Sequence, residues 1–291
     1  MNYVLKSFRS YVLLFNLLTV LFVQACHKGP NDSGAISQLT GDSAAFPALS
    51  CSDLTFEWDG RILSHGDLLG KGVSGSVYNL RENGQIVDDL VEKIIVKSDY
   101  NGARDAAKVE YFLSQDLKDL YTKTSLRGYF KVESPSSTDG FAAALVKERV
   151  NGDTFADLLR LNIINPDTVT SYRESFQIFE NKLFEKMLEL DKDKKFLWDL
   201  HAGNIMFDSK KAEWKIVDAE LGAYQAERNK IEAFAYQYTS RRINHPVVEI
   251  AALFRARENM SDEEFFRKYL DIYFKTIREY FEDLTEMAEA I

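Results

Sequence analysis

The sequence predicts an α+β protein in two lobes, an antiparallel β-sheet lobe carrying one helix and then a mainly helical lobe. Three observations carry that expectation. From Phe56 to Val150, short apolar runs alternate with turn signals at Asp59-Gly60, Glu82-Asn83-Gly84 and Pro135 to Gly140, as hairpins do. One stretch in that half, Asp105 to Leu117, instead sets Val109, Phe112, Leu113 and Leu117 near helical spacing. Further on, Thr168 to Leu190 gathers Phe176, Phe179, Leu183, Phe184, Met187 and Leu188 on one broad apolar face, and helices are expected from Pro246 and over Asp262 to Leu284. A chain of 291 residues is long enough for two lobes with cores of their own. The expected boundaries are 53–150 for the first lobe and 151–291 for the second.

Charge narrows the partners. Lys plus Arg number 36 against 45 Asp plus Glu, a formal charge of −9, so no nucleic-acid partner is expected. Cys26 and Cys51 are the two cysteines, too few for a disulfide scaffold. Residues 1–26 read as a targeting segment. Lys6 and Arg9 open it, and the apolar run Tyr11 to Ala25 is short for a membrane span but suits a secretory signal. It closes on Val23-Gln24-Ala25-Cys26, which resembles a bacterial lipobox whose Cys is lipidated, although Gln24 is unusual there. An uncleaved signal anchor is the alternative. The expected location is therefore exported and membrane-anchored, on the periplasmic or cell-surface side. Residues 27–52, rich in Gly, Ser, Asn, Asp and Pro, read as a flexible tether.

In the strand-rich half lies Leu68-Leu-Gly70-Lys-Gly72-Val-Ser-Gly75-Ser-Val77-Tyr78. Glycines let the main chain approach phosphate oxygens and turn N–H groups toward them. A dinucleotide-binding turn would need a helix straight after the glycines. Here Val77 to Leu80 continues as strand into an Asn-Gly turn, which favours a glycine-rich lid made by Gly70, Gly72, Gly75 and Val77. The next strand, Ile86 to Val96, carries Lys93, with an apolar residue two before it and two apolar residues after it. Lys93 is the expected ligand of the α- and β-phosphates, with Lys97 the alternative. Glu110, seventeen residues beyond Lys93, can pair with that lysine and hold it. Strands are also expected over Leu126 to Val132 and Phe141 to Val150. The second leaves through Gly152 into a short helix, and the main chain of Glu148 to Val150 offers candidate donors and acceptors for an adenine edge.

The chemistry centres on Phe196-Leu-Trp-Asp199-Leu-His201-Ala-Gly203-Asn204-Ile-Met-Phe207, with Trp214-Lys-Ile-Val-Asp218 following. Asp199 can orient a hydroxyl and accept its proton. Asn204 and Asp218 can offer hard oxygen ligands to Mg²⁺. Gly203 is expected to let the loop turn sharply between Asp199 and Asn204.

Taken in order, the glycine lid, strand lysine, helix glutamate, interlobe strand, long helix, D-x-H-x-x-N loop and strand-Asp resemble the protein-kinase-like superfamily over roughly residues 56–222. The resemblance implies a two-lobed kinase-like fold, ATP and Mg²⁺ as cofactors, Asp199 and Lys93 as catalytic groups, and Asn204 and Asp218 as metal ligands. It also implies a hydroxyl acceptor on a protein or a small molecule. Leu197 and Trp198 stand where protein kinases carry the His and Arg of H-R-D. Asp218-Ala219-Glu220 lacks the Phe of D-F-G, and no A-P-E follows. His201 and Glu148…Gly152-Asp-Thr-Phe155 look like the aminoglycoside and choline phosphotransferase version, while the lid looks like a protein kinase. The expected function is ATP-dependent phosphoryl transfer. The alternative is an exported pseudokinase serving as a nucleotide- or protein-binding module, since ATP is scarce outside the cytosol unless the protein is delivered into another cell.

Overall fold

Two Asx-Gly pairs set the first sheet. Asp59 and Gly60 have φ of 48° and 73°, and Asn83 and Gly84 have φ of 50° and 80°. Two consecutive left-handed residues make the tight hairpin turn whose twist suits the flanking strands. They join β1 (Thr55–Trp58) to β2 (Arg61–Lys71), and β3 (Ser76–Glu82) to β4 (Gln85–Lys97). The computed structural model describes residues 55–71, 75–132, 140–161, 169–240 and 246–289. The targeting segment, the tether, both cysteines and Gly72 lie outside the described residues.

The chain is α+β and divides into two compact units. One runs up to Ala107 and takes in Ser125–Lys147; the other comprises Lys108–Thr124 and Glu148 onward. The division runs through the first helix and assigns its second half to the second unit. The reason lies in that helix, α1 (Tyr100–Asp116): Ala103 and Ala107 pack on Ile95, Ala143 and Leu145, whereas Leu113 joins the large core of the second unit.

In the first unit, β5 (Thr124–Val132) and β6 (Gly140–Glu148) complete a six-stranded sheet of order β1-β2-β3-β4-β6-β5. Tyr78, Ile94, Phe130, Ala142 and Ala144 cluster in it, as do Phe56, Leu63, Leu80, Val87 and Val146. Both clusters are ordinary alternation: residues two apart on a strand share a face. Charge is buried among them. Glu92, fully enclosed, accepts from Arg127, and its Oε2 lies 2.7 Å from His65 Nδ1. The Arg127 guanidinium lies 3.9 Å from the Phe56 ring centre and 5.2 Å from that of Phe130.

The second unit is built around α2 (Phe155–Leu161), α3 (Val169–Lys192), α4 (Tyr224–Ser240), α5 (Pro246–Ala256) and α6 (Asp262–Glu289). Four short strands accompany them. β7 (Lys195–Trp198) pairs antiparallel with β10 (Glu220–Ala223), and β8 (Ile205–Asp208) with β9 (Glu213–Ile216). Aromatic rings dominate the core: Phe176 meets Phe274 edge-on at 5.2 Å, and Phe196 meets Phe254 and Tyr269 at 5.1 Å. Such pairs add to simple area burial. Among the described residues no helix is long and apolar enough to cross a membrane.

Some local expectations need correction. α1 starts at Tyr100, and its Phe112 is exposed. Of the run Tyr111-Phe112-Leu113 only Leu113 is buried, and the buried stripe is Ala103, Ala107, Glu110, Leu113 and Ser114. Helical geometry allows one of three consecutive residues to face the core, and the alanine spacing decides which. α3 extends to Lys192, beyond the expected end at Leu190, and the turn after it is Asp193-Lys194, where Lys194 takes φ 57°.

Gly152 is a packing requirement. A Cβ there would sit 1.9 Å from the Phe207 carbonyl oxygen, because residues 151–154 run along β8: Phe207 N–H donates to the Asp153 carbonyl at 3.2 Å and Ser209 N–H to that of Asn151 at 3.0 Å. Gly152→Ala must push this segment off β8 and should lower stability by about 1–3 kcal/mol in urea unfolding. An unchanged midpoint would show that the segment is not held there.

Candidate functional site

The β8–β9 hairpin brings two of the expected metal ligands together. Its register opposes Ile205 to Ile216, so Asn204, just before β8, meets the chain just after β9. Val217 N–H donates to the Asn204 carbonyl at 2.9 Å, and Asp218 is the next residue. Both side chains are partly exposed, as groups that hold a hydrated ion must be.

Asp199 completes the cluster. The Asn204 Nδ2 donates to the Asp199 carbonyl at 2.9 Å and to its Oδ2 at 3.3 Å. With its nitrogen turned to Asp199, the Asn204 amide has its oxygen as the group for a cation. Among the described residues no three His, Cys, Asp or Glu side chains form a metal cage. An Asn–Asp pair fits Mg²⁺ nonetheless, since that ion takes only one or two protein ligands when phosphate oxygens and waters supply the rest.

The loop owes its shape to Asp199, not to Gly203. Asp199 has φ 67°, whereas Gly203 has no left-handed φ. At Gly203 a Cβ would lie 3.0 Å from Cε1 of the His201 ring, so that ring would have to give slightly. His201 Nδ1 accepts the Gly203 N–H at 3.0 Å, so in the neutral ring the proton sits on Nε2, 3.8 Å from Asp199 Oδ1. Asp199 N–H in turn donates to the Tyr273 hydroxyl at 3.1 Å, and the Tyr269 hydroxyl donates to the Leu197 carbonyl at 2.9 Å.

Glu110 and Glu148 belong to the same unit. Glu110 is buried and accepts from the Tyr121 hydroxyl at 2.7 Å, which excludes the plain surface glutamate that its sequence context alone favours. Tyr121 bridges to Ile216, the end of the strand leading to Asp218. Burial, and then the charges of Glu110 and Asp218, push its hydroxyl well above the usual tyrosine range, so it remains a donor. Glu148 N–H donates to the Lys123 carbonyl at 2.8 Å, which removes that amide from the candidate adenine edge. The Glu148 carbonyl and the main chain of Val150 remain as candidates there. Burial raises the Glu148 carboxyl, but the hydrogen bonds from Lys211 and the Lys123 N–H hold it below its usual value.

In the first unit, Lys93 is buried on β4, directly opposite Val77 on β3. Lys97, the alternative, is half-buried near the end of the same strand. Gly75 is tightly constrained, since a Cβ would lie 2.6 Å from the Ile94 carbonyl oxygen, while Gly70, paired with Val77, has open space around it. The two ends of the glycine segment and Lys93 therefore sit on neighbouring strands of one sheet.

The sequence reading missed Tyr121, Tyr269 and Tyr273. The available signal was chemical: a tyrosine in an apolar stripe usually needs a partner for its hydroxyl. No protein family model matches this chain, and no curated protein matches it. The site is thus argued from the chain's own residues.

Proposed function

We propose that the chain is an ATP- and Mg²⁺-dependent phosphotransferase with a two-lobed kinase-like fold, moving the γ-phosphoryl group to a hydroxyl of a protein or small molecule. The observation that carries the proposal is the end of the β8–β9 hairpin, where Val217 N–H donates to the Asn204 main-chain carbonyl one residue before Asp218 while the Asn204 amide donates to Asp199. One carboxylate is thereby set apart for the acceptor and an amide–carboxylate pair for the ion. Asp199 would orient the acceptor hydroxyl and take its proton as the oxygen bonds to the γ-phosphorus and the bond to the leaving ADP oxygen breaks. Asn204 and Asp218 would hold Mg²⁺, which when bound neutralises phosphate charge. In the first unit, Lys93 and the segment from Gly70 to Gly75 would hold phosphate oxygens. An exported, lipid-anchored location is part of the same proposal and rests on residues 1–26.

The test is nucleotide binding and turnover by the full chain. ATP at one hundred times its dissociation constant should stabilise the fold by about 2.7 kcal/mol. That gain should require Mg²⁺ and should be lost in Asp218→Ala and Lys93→Met. Turnover of γ-labelled ATP should accompany it. Stabilisation without turnover would instead identify a nucleotide-binding pseudokinase, and no stabilisation would remove both readings.

A further inference from the structure

The geometry points to Tyr273, on α6, as a positioning residue that holds Asp199 in its left-handed conformation. Its catalytic consequence rests on the phosphotransferase reading; its structural content does not.

Asp199 is a non-glycine residue at φ 67°, a conformation unfavourable for most L residues and tolerated by Asp more than most. Both main-chain polar groups of Asp199 are clamped. Its carbonyl accepts from Asn204 Nδ2 at 2.9 Å, and its N–H donates to the Tyr273 hydroxyl at 3.1 Å. The first clamp lies within the loop. The second comes from a helix 74 residues away in sequence.

Tyr269, one turn earlier on α6, anchors the same loop. Its hydroxyl donates to the Leu197 carbonyl at 2.9 Å, and its ring lies 5.1 Å from that of Tyr273. Residues four apart on a helix lie on one face, so a single face of α6 grips the main chain on both sides of Trp198. Tyr269 is itself fixed by Phe196 at 5.1 Å and Phe265 at 6.3 Å. Burial raises both hydroxyls, Tyr269 well above the usual tyrosine range, so neither ionises where the protein works. For packing alone, phenylalanine would serve equally at both positions, as it does at Phe265, Phe274 and Phe281 of the same helix. The hydroxyls are what set these two residues apart.

Tyr273→Phe in the full chain keeps the ring and removes only the hydroxyl, with its bonds to the loop and to Tyr269. Tyr280→Phe is the control, since the Tyr280 hydroxyl, on the same helix, lies 3.5 Å from the Leu158 carbonyl and far along the chain from the loop. Hydrogen exchange of the 196–204 segment should speed up about tenfold or more in Tyr273→Phe, with exchange elsewhere in α6 unchanged and the control like wild type. Turnover should fall about tenfold through kcat, with KM for ATP unchanged. Unchanged exchange at Asp199 would overturn the positioning role whatever the kinetics. Faster exchange in a protein whose wild type turns over no ATP would keep the role and remove the phosphotransferase reading. A rise in KM equal to the fall in kcat/KM would also overturn it, because that marks general loosening of the nucleotide site.

Discussion

Asp199→Asn is expected to lower turnover by about 10²–10⁴-fold while leaving MgATP affinity unchanged. Asparagine matches aspartate in size, and the principal loop bond, from Asn204 Nδ2 to the residue-199 carbonyl at 2.9 Å, is made by the main chain and survives. The weaker contact at 3.3 Å can persist with the new amide oxygen as acceptor. What disappears is the group that takes the acceptor's proton. Asn204 and Asp218 keep their places at the end of the β8–β9 hairpin, so the ion and nucleotide should still bind. Single-turnover measurements with γ-labelled ATP, beside titration of binding, separate the two effects. Equal turnover by variant and wild type would exclude Asp199 as the proton acceptor.

Glu92→Gln should be the most destabilising conservative change in the first unit, costing about 3–5 kcal/mol. Its carboxylate is fully enclosed and faces two cations or potential cations, Arg127 and His65. The Arg127 side chain is only 4% exposed, so removing the carboxylate strands a buried charge that water cannot reach. The same cluster gives a pH dependence. Burial by itself would raise the Glu92 carboxyl, but the His65 hydrogen bond and the Arg127 charge hold it below its ordinary value of 4.5. A depressed carboxyl stabilises the fold above the unfolded-state value and loses that contribution as pH falls through the folded one. Wild-type stability should therefore be level near neutrality and decline below about pH 4.5. Glu92→Gln should start lower and decline less over that acid limb. Urea unfolding at pH 7 and pH 4 checks both; parallel acid limbs would show that Glu92 is not the titrating group.

Much of the fold was legible because its signals are local. Asp59-Gly60 and Asn83-Gly84 fix their hairpins by main-chain conformation alone, and those turns stand where the sequence put them. The β8–β9 hairpin is also local, since two short apolar runs close on one turn and bring the main chain at Asn204 beside Val217. Groups assembled from distant positions were not. Glu92 meets Arg127 across 35 residues and Asp199 meets Tyr273 across 74, and no periodicity announces either contact. Glu110 was uncertain for a different reason: beside Tyr111 and Phe112 its burial depended on which residues of α1 the alanines turned inward. Gly203 misled because glycine suggests a turn, whereas the strained residue in this loop is Asp199.

The most direct test is anomalous diffraction from crystals of the full chain grown with Mn²⁺ and a non-hydrolysable ATP analogue. The account predicts a manganese peak bound by the Asn204 side-chain oxygen and the Asp218 carboxylate, with Asp199 outside its coordination sphere. A nucleotide seen with its metal on other residues, or no metal at this pair, would contradict it.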